Sequence, residues 1–223
     1  LIEQLFNKLK YLKMRHVLII LFLGSFLTYQ AVAQEDGRGA FQIGIKAGAN
    51  LANVYDEQGD DFNADAKFGF VAGGFMTIPL GEMFGVQPEV LFSQKGFKAK
   101  GSLLGSSYSL TRTTNYIDVP LYFTIKPLNT LTLLVGPQFS FLTKQKDVFE
   151  NSSTSFEQSE EFKNENLRKN ILGISLGVNL NVSKIVLGAR ANWDLYTNHG
   201  DGTSTTPRYK NAWVQATLGF RLF

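Results

Sequence analysis

The 223-residue chain contains no cysteine. That absence excludes a disulfide framework, a thiolate metal site, a thiol nucleophile and a lipid-bearing cysteine together. Histidine is nearly as scarce, with two copies at positions 16 and 199. His16 lies in an N-terminal targeting stretch, so His199 is left as the only imidazole for chemistry. It sits in Tyr196-Thr-Asn-His-Gly-Asp-Gly-Thr-Ser204, and although Asp201 and Ser204 are near it, a glycine-rich loop gives a triad no rigid support. The acidic group Asp56, Glu57, Asp60, Asp61 and Asp65 lacks the alternate spacing and closing glutamate of a calcium loop. No catalytic residue, cofactor or metal is assigned.

Net charge is also missing once the N-terminus is set aside. The first 33 residues carry four of the 22 Lys+Arg and one of the 19 Asp+Glu, which leaves 18 of each sign. A balanced chain offers no clustered basic footprint for nucleic acid. Within those 33 residues, Lys8, Lys10, Lys13 and Arg15 precede an apolar run from Val17 to Leu27, and Ala31-Val-Ala33 supplies a small-x-small cleavage pattern. This reads as a signal peptide over residues 1–33, with 1–13 lying upstream of a start at Met14. Residues 34–40 are then a short periplasmic segment and 41–223 the exported domain.

Beyond residue 33 no apolar run approaches the roughly 20 residues of a membrane-spanning helix. What recurs is alternation with a period of two, the pattern of a strand with one lipid face and one lumen face. Eight such segments are expected at Phe41–Asn53, Lys67–Leu80, Phe84–Lys98, Tyr108–Lys126, Thr130–Lys144, Lys169–Asn181, Lys184–Tyr196 and Tyr209–Phe223. Short turns at 81–83, 127–129 and 182–183 alternate with long polar loops at 54–66, 99–107, 145–168 and 197–208. That alternation is the layout of an all-β, eight-stranded, antiparallel up-and-down transmembrane β-barrel in the outer membrane, with termini and short turns periplasmic and long loops outside.

Parity assigns the faces. On the fourth segment Ile117, Val119, Leu121, Phe123 and Ile125 face lipid, while Tyr116, Asp118, Tyr122 and Lys126 face the lumen. The same test turns Lys46, Glu89, Lys95, Arg190 and Asp194 inward, along with Gly177 and Gly188, which make room for the long side chains opposite. Eight strands leave an interior just wide enough to be filled by side chains. The inward charges are therefore expected to pair as a polar plug, because buried charges persist only when paired and hydrogen-bonded. Pro88 and Pro120 inside strands are expected to mark bulges or strand ends.

The final segment is expected to close the barrel by pairing with the first. There Val214, Ala216, Leu218, Phe220 and Leu222 form the apolar face, while Trp213 and the last residue, Phe223, have the opposite parity. Either a bulge turns Phe223 outward or it sits at the periplasmic rim.

Three blocks carry a resemblance: Gly44-Ile-Lys-Ala-Gly-Ala-Asn-Leu51, Val86-Gln-Pro-Glu-Val-Leu-Phe-Ser-Gln-Lys-Gly96 and Tyr116-Ile-Asp-Val-Pro-Leu-Tyr122. With Gly136-Pro137 and Leu218-Gly-Phe-Arg-Leu-Phe223, they resemble the PorT-family outer-membrane β-barrel proteins of Bacteroidetes. The resemblance implies an eight-stranded barrel in outer-membrane lipid, inserted by the barrel-assembly machinery, and implies little about activity. Its founding member belongs to a protein secretion system, so a secretion-complex component stands as one alternative and a narrow, porin-like channel for small solutes as another. The leading expectation is a filled barrel with a structural, surface-interaction or assembly role and no catalysis.

Overall fold

A computed structural model describes residues 39–55, 64–103, 106–151, 155–160, 170–196 and 209–222. The residues read as a signal peptide, most of the acidic first loop, His199 with Asp201 and Ser204, and Phe223 lie outside the described residues. No helix among them is long and apolar enough to cross a membrane; the crossing is made by strands.

Among the described residues, nine strands form one sheet: β1 (Gln42–Tyr55), β2 (Ala64–Pro79), β3 (Phe84–Leu103), β4 (Ser106–Leu128), β5 (Leu131–Asn151), β6 (Ser155–Glu160), β7 (Asn170–Val182), β8 (Ile185–Asp194) and β9 (Lys210–Arg221). Every pairing is antiparallel, and β1 bonds to both β2 and β9, so eight strands close into a barrel. The ninth, β6, is a short addition that pairs with β5 beyond the barrel wall. Closure runs without slip from Gly44↔Arg221 to Tyr55↔Lys210. No bulge interrupts β9 through Arg221, and the Leu222 amide still donates to the Ile43 carbonyl at 2.8 Å.

Alternation of side chains fixes why these segments are strands. On β3, Val90 is exposed and Val86, Pro88 and Phe92 are half-buried, while Gln87, Glu89, Leu91, Ser93 and Lys95 between them are buried. With lipid outside, the apolar set is the outer one. On β5 the outer apolar run from Leu131 to Phe141 rises roughly 25 Å along the barrel axis at ordinary strand rise and tilt, the height of an outer-membrane apolar band. Aromatic pairs stand near its two edges on the outer wall: Phe84 stacks on Phe123 at 5.7 Å and Phe70 on Phe92 at 5.2 Å. The turns at one end are short, and the left-handed backbone they require falls on Gly81 (φ 122°) and Ser183 (φ 52°).

Two expectations are corrected. Residues 99–103, 106–107 and 145–151 are strand, so β3, β4 and β5 continue past the apolar band as a projecting ribbon, which β6 extends. Outside the membrane both faces meet water, the apolar period fades, and strand becomes indistinguishable from loop by composition. Pro88 and Pro120 also cause no register shift: Pro88↔Leu121 and Leu91↔Asp118 keep one register across them, as do Pro120↔Gln138 and Phe123↔Val135. A missing N–H removes a ladder bond without inserting a residue. The register shifts lie at Ala66/Val71 between β2 and β3, and at Asn115/Tyr116 and Ile125/Leu128 between β4 and β5.

Candidate functional site

Every sequence-assigned lumen residue, Lys46, Glu89, Lys95, Tyr116, Asp118, Lys126, Arg190 and Asp194, is buried. Glu89 is the centre. Its Oε2 accepts from Lys46 Nζ at 2.5 Å, and its Oε1 accepts from Arg190 at 3.2 Å and from Gln87 Nε2 at 2.7 Å. Thr77 donates in turn to Gln87 Oε1 at 3.0 Å, and the second terminal nitrogen of Arg190 donates to Asn179 at 3.1 Å. One carboxylate thus holds two cations across the lumen.

The contacts continue around the wall. The Arg190 guanidinium lies 5.2 Å from the Tyr122 ring centroid, and the Tyr122 hydroxyl meets Ser175 Oγ at 2.8 Å. Ser175 donates to Asn192 Oδ1 at 2.6 Å, and Asn192 donates to the Trp213 carbonyl at 3.3 Å. Above the Trp213 ring, 3.7 Å from its centroid, sits the Lys95 ammonium, which also pairs with Asp118 at 3.0 Å and reaches Ser140 at 3.3 Å. Tyr116 supplies a second ring face to Lys95 at 4.5 Å. Desolvated cation–π contacts of this kind are worth about 2 kcal/mol or more. From Lys46 on β1 to Trp213 on β9, this set includes a side chain from each of the eight barrel strands.

Asp194 accepts from the Asn211 side chain at 2.5 Å and from its backbone at 3.2 Å, tying the end of β8 to β9. Lys126 is buried at the short-turn end, where its backbone N–H donates to Met83 O at 2.7 Å. On the closing strand Trp213 is buried and Phe220 exposed on the lipid side. Gly177 and Gly188 admit Arg190: a Cβ on Gly188 would stand 2.7 Å from its guanidinium and 2.5 Å from Thr217 Oγ1, and one on Gly177 would stand 2.8 Å from Arg190 Cγ. Beside Lys46 a void of about 10 Å³, bounded by Phe75, Gln87, Asn179 and Thr217, has room for one water.

Several members escaped the sequence reading. Val71, Phe75, Leu91, Leu134 and Ile171 are buried apolar residues on the inner face, so the lumen is a mixed core. Above it, Val54, Phe97, Ala99 and Tyr209 form an apolar cluster joined by Ala64 and Leu110, with Phe97 edge-on to Tyr209 at 5.4 Å. Arg112 borders the cluster, donating to both Asp147 oxygens at 2.8 and 2.6 Å and to the Tyr209 hydroxyl at 2.9 Å. Burial works against the Arg112 charge, but the bonds to Asp147 and Tyr209 outweigh it and raise the guanidinium pKa. A signal was present: Arg112 lies within the expected fourth segment and shares the inward parity of Tyr116 and Asp118.

The sequence profile of the outer membrane protein beta-barrel domain family matches residues 32–198. The chain belongs to this family. Solved structures similar to this outer-membrane barrel include Ail of Yersinia pestis in complex with the heparin analogue sucrose octasulfate (14% identity, 82% of this chain and 99% of that one, TM-score 0.48). Neisserial surface protein A is similar at 13% identity, over 80% and 96% of the two chains, with a TM-score of 0.43. OprG of Pseudomonas aeruginosa is similar at 12% identity, over 85% and 99%, with a TM-score of 0.39. At these identities the likeness is one of fold. No curated protein matches the chain.

Proposed function

We propose that this outer-membrane barrel is closed to solutes and acts through its surface, in a structural, surface-interaction or assembly role without catalysis. The observation that carries this reading is the polar network centred on Glu89, which draws side chains from all eight barrel strands into the lumen. A solute would have to break buried ion pairs to pass, and removing one partner from such a pair costs about 3–5 kcal/mol. In this reading the short turns and both chain ends are periplasmic, the usual arrangement for such barrels. The ribbon of β3, β4, β5 and β6 then projects outside the cell and offers the contact surface. The three sequence blocks support placing the chain with the PorT group within its family, and with it a partner in the envelope.

Planar-bilayer recording of the refolded protein tests the closed lumen. No unitary current is expected at physiological salt; reproducible unitary steps would overturn the reading in favour of a narrow channel. Purification from native membranes addresses partners, and recovery with a stoichiometric secretion-complex protein would move the assignment to that complex.

A further inference from the structure

The lipid-facing wall differs in relief between its two sides. Around β4 and β5 each outward row is bulky: Phe92, Ile117 and Phe141 are register partners, as are Val119, Phe139 and Leu172. Across the barrel, Ala49, Ala216 and Ala189 are register partners on β1, β9 and β8, and all three face out. Small side chains in one row lower the wall there and leave a groove of about 710 Å³, bordered by Leu51 and Val214 toward the long-loop end, by Leu176 and Val178 on β7, and by Phe68 on β2.

A ridge stands beside the groove. Phe70 is in register with Ala49, and Phe68 with Leu51. Phe68, at 72% exposure, is the most exposed large apolar side chain among the described residues, and Phe70 is 52% exposed. Hydrocarbon surrounds this wall, so apolar burial by itself drives nothing. Association in a bilayer rests instead on close packing and on the release of lipid chains, and small residues let two backbones approach closely. A flexible lipid chain that fills a groove must be ordered to do so; a ring already held on a strand fills it at less cost.

We propose that this face joins two copies of the barrel side by side in the membrane. Both copies insert in the same sense, so their two-fold axis runs along the membrane normal and the contact is isologous, one patch meeting itself. An axis over β1 sets Ala49 against its own equivalent, with Phe68 and Phe70 on one side of the axis and Ala216 and Ala189 on the other. Rotation about the normal preserves height, and the ridge stands only one strand, about 5 Å, from Ala49. Each copy's ridge therefore meets the other's groove. The contact lies outside the barrel and holds whether or not the lumen conducts.

The chain contains no cysteine, so introduced thiols can be read singly. The full chain with Glu82→Cys in a short turn, carrying one dye, is reconstituted in vesicles at increasing lipid dilution, and its bleaching steps are counted. Two-step spots in excess of chance are expected. Association should weaken at least tenfold in Phe68→Ala with Phe70→Ala, the loss ordinary for truncated anchor residues, and likewise in Ala216→Leu, which fills the groove. Phe139→Ala, on the far wall, should stay within twofold of wild type. Ala49→Cys should give a disulfide-linked dimer on oxidation in the membrane, and Val119→Cys should not. Heat-modifiable migration checks that each barrel is folded, and the ridge and groove variants test the same contact independently. The proposal is overturned if spots bleach in one step at every dilution, which would leave the groove to lipid or to another protein. It is equally overturned if ridge and groove variants associate like wild type, if Phe139→Ala loses as much as they do, or if Val119→Cys cross-links and Ala49→Cys does not.

Discussion

Strand β3 passes through two interiors of opposite character. In its lower part the inward residues are Gln87, Glu89, Ser93 and Lys95 and the outward ones Val86, Pro88, Val90 and Phe92. Past Lys95 the pattern inverts: Phe97 and Ala99 are buried, while Lys98 and Lys100 are exposed. The neighbouring medium explains the inversion. Where lipid surrounds the wall, apolar side chains gain little by turning inward, and most of the interior goes to polar groups bonded to one another, with Val71, Phe75, Leu91, Leu134 and Ile171 among them. Where water surrounds the ribbon, the hydrophobic effect again favours apolar burial, and Val54, Phe97, Ala99 and Tyr209 collect into a small conventional core. Arg112 marks the border, its guanidinium bonded to Asp147 and lying 5.9 Å from the Phe97 ring centroid.

The largest effect expected from breaking this contrast is at its polar pole. Glu89→Gln keeps the shape but leaves Lys46 and Arg190 buried without their shared anion. A loss of about 3–5 kcal/mol is expected in urea unfolding from lipid bilayers. Adding Lys46→Met should restore part of it, because one cation fewer is then stranded. If Glu89→Gln unfolds at the wild-type urea concentration, the lumen charges do not hold the barrel together.

At the apolar pole, Phe97→Ala should cost about 3 kcal/mol, the usual range for a buried ring truncated in a packed core. Its signature should be local: faster proteolysis of the long-loop end, with unchanged heat-modifiable migration of the barrel. A loss of barrel migration would show instead that the upper cluster and the lumen form one cooperative unit.

How much of this was readable in the sequence differs between the poles. Along β4, a period of two sufficed to set Tyr116, Asp118, Tyr122 and Lys126 on one face and Ile117, Leu121 and Phe123 on the other, because a membrane makes the two faces chemically unlike. Parity says which side a residue takes but not whom it meets. Glu89 finds Lys46 at a separation of 43 residues and Arg190 at 101, and those partners depend on the stagger of the closed sheet, which no local pattern encodes. The upper core was hidden for a different reason. Phe97 and Ala99 continue a strand whose outer face has become polar, so composition reads Ala99 to Ser107 as loop. The register shift between Asn115↔Lys144 and Tyr116↔Leu142, which leaves Thr143 as an extra residue on β5, was equally silent, since one inserted residue leaves composition unchanged while exchanging the inward and outward positions beyond it.

The smallest expected effect lies on the ribbon's outer surface, where neither interior is involved. Lys100 and Asp65 form an ion pair at 3.3 Å, but their side chains are 72% and 65% exposed. In water such a pair gains little Coulomb energy, must order two side chains, and is screened by salt, so exposed pairs typically contribute about 0.2–1 kcal/mol. Lys100→Ala should therefore shift the unfolding midpoint by less than about a third of the shift for Glu89→Gln, and the shift should shrink further at high salt. Each substitution removes one charge, Glu89→Gln from two buried ion pairs at 2.5 and 3.2 Å and Lys100→Ala from one exposed pair at 3.3 Å. What separates them is the medium: around Lys100 water replaces the lost partner, and around Glu89 nothing does. A Lys100 effect as large as that of Glu89 would mean that the ribbon's surface is not solvated, and the division of this barrel into a lipid-bounded part and a water-bounded part would have to be redrawn.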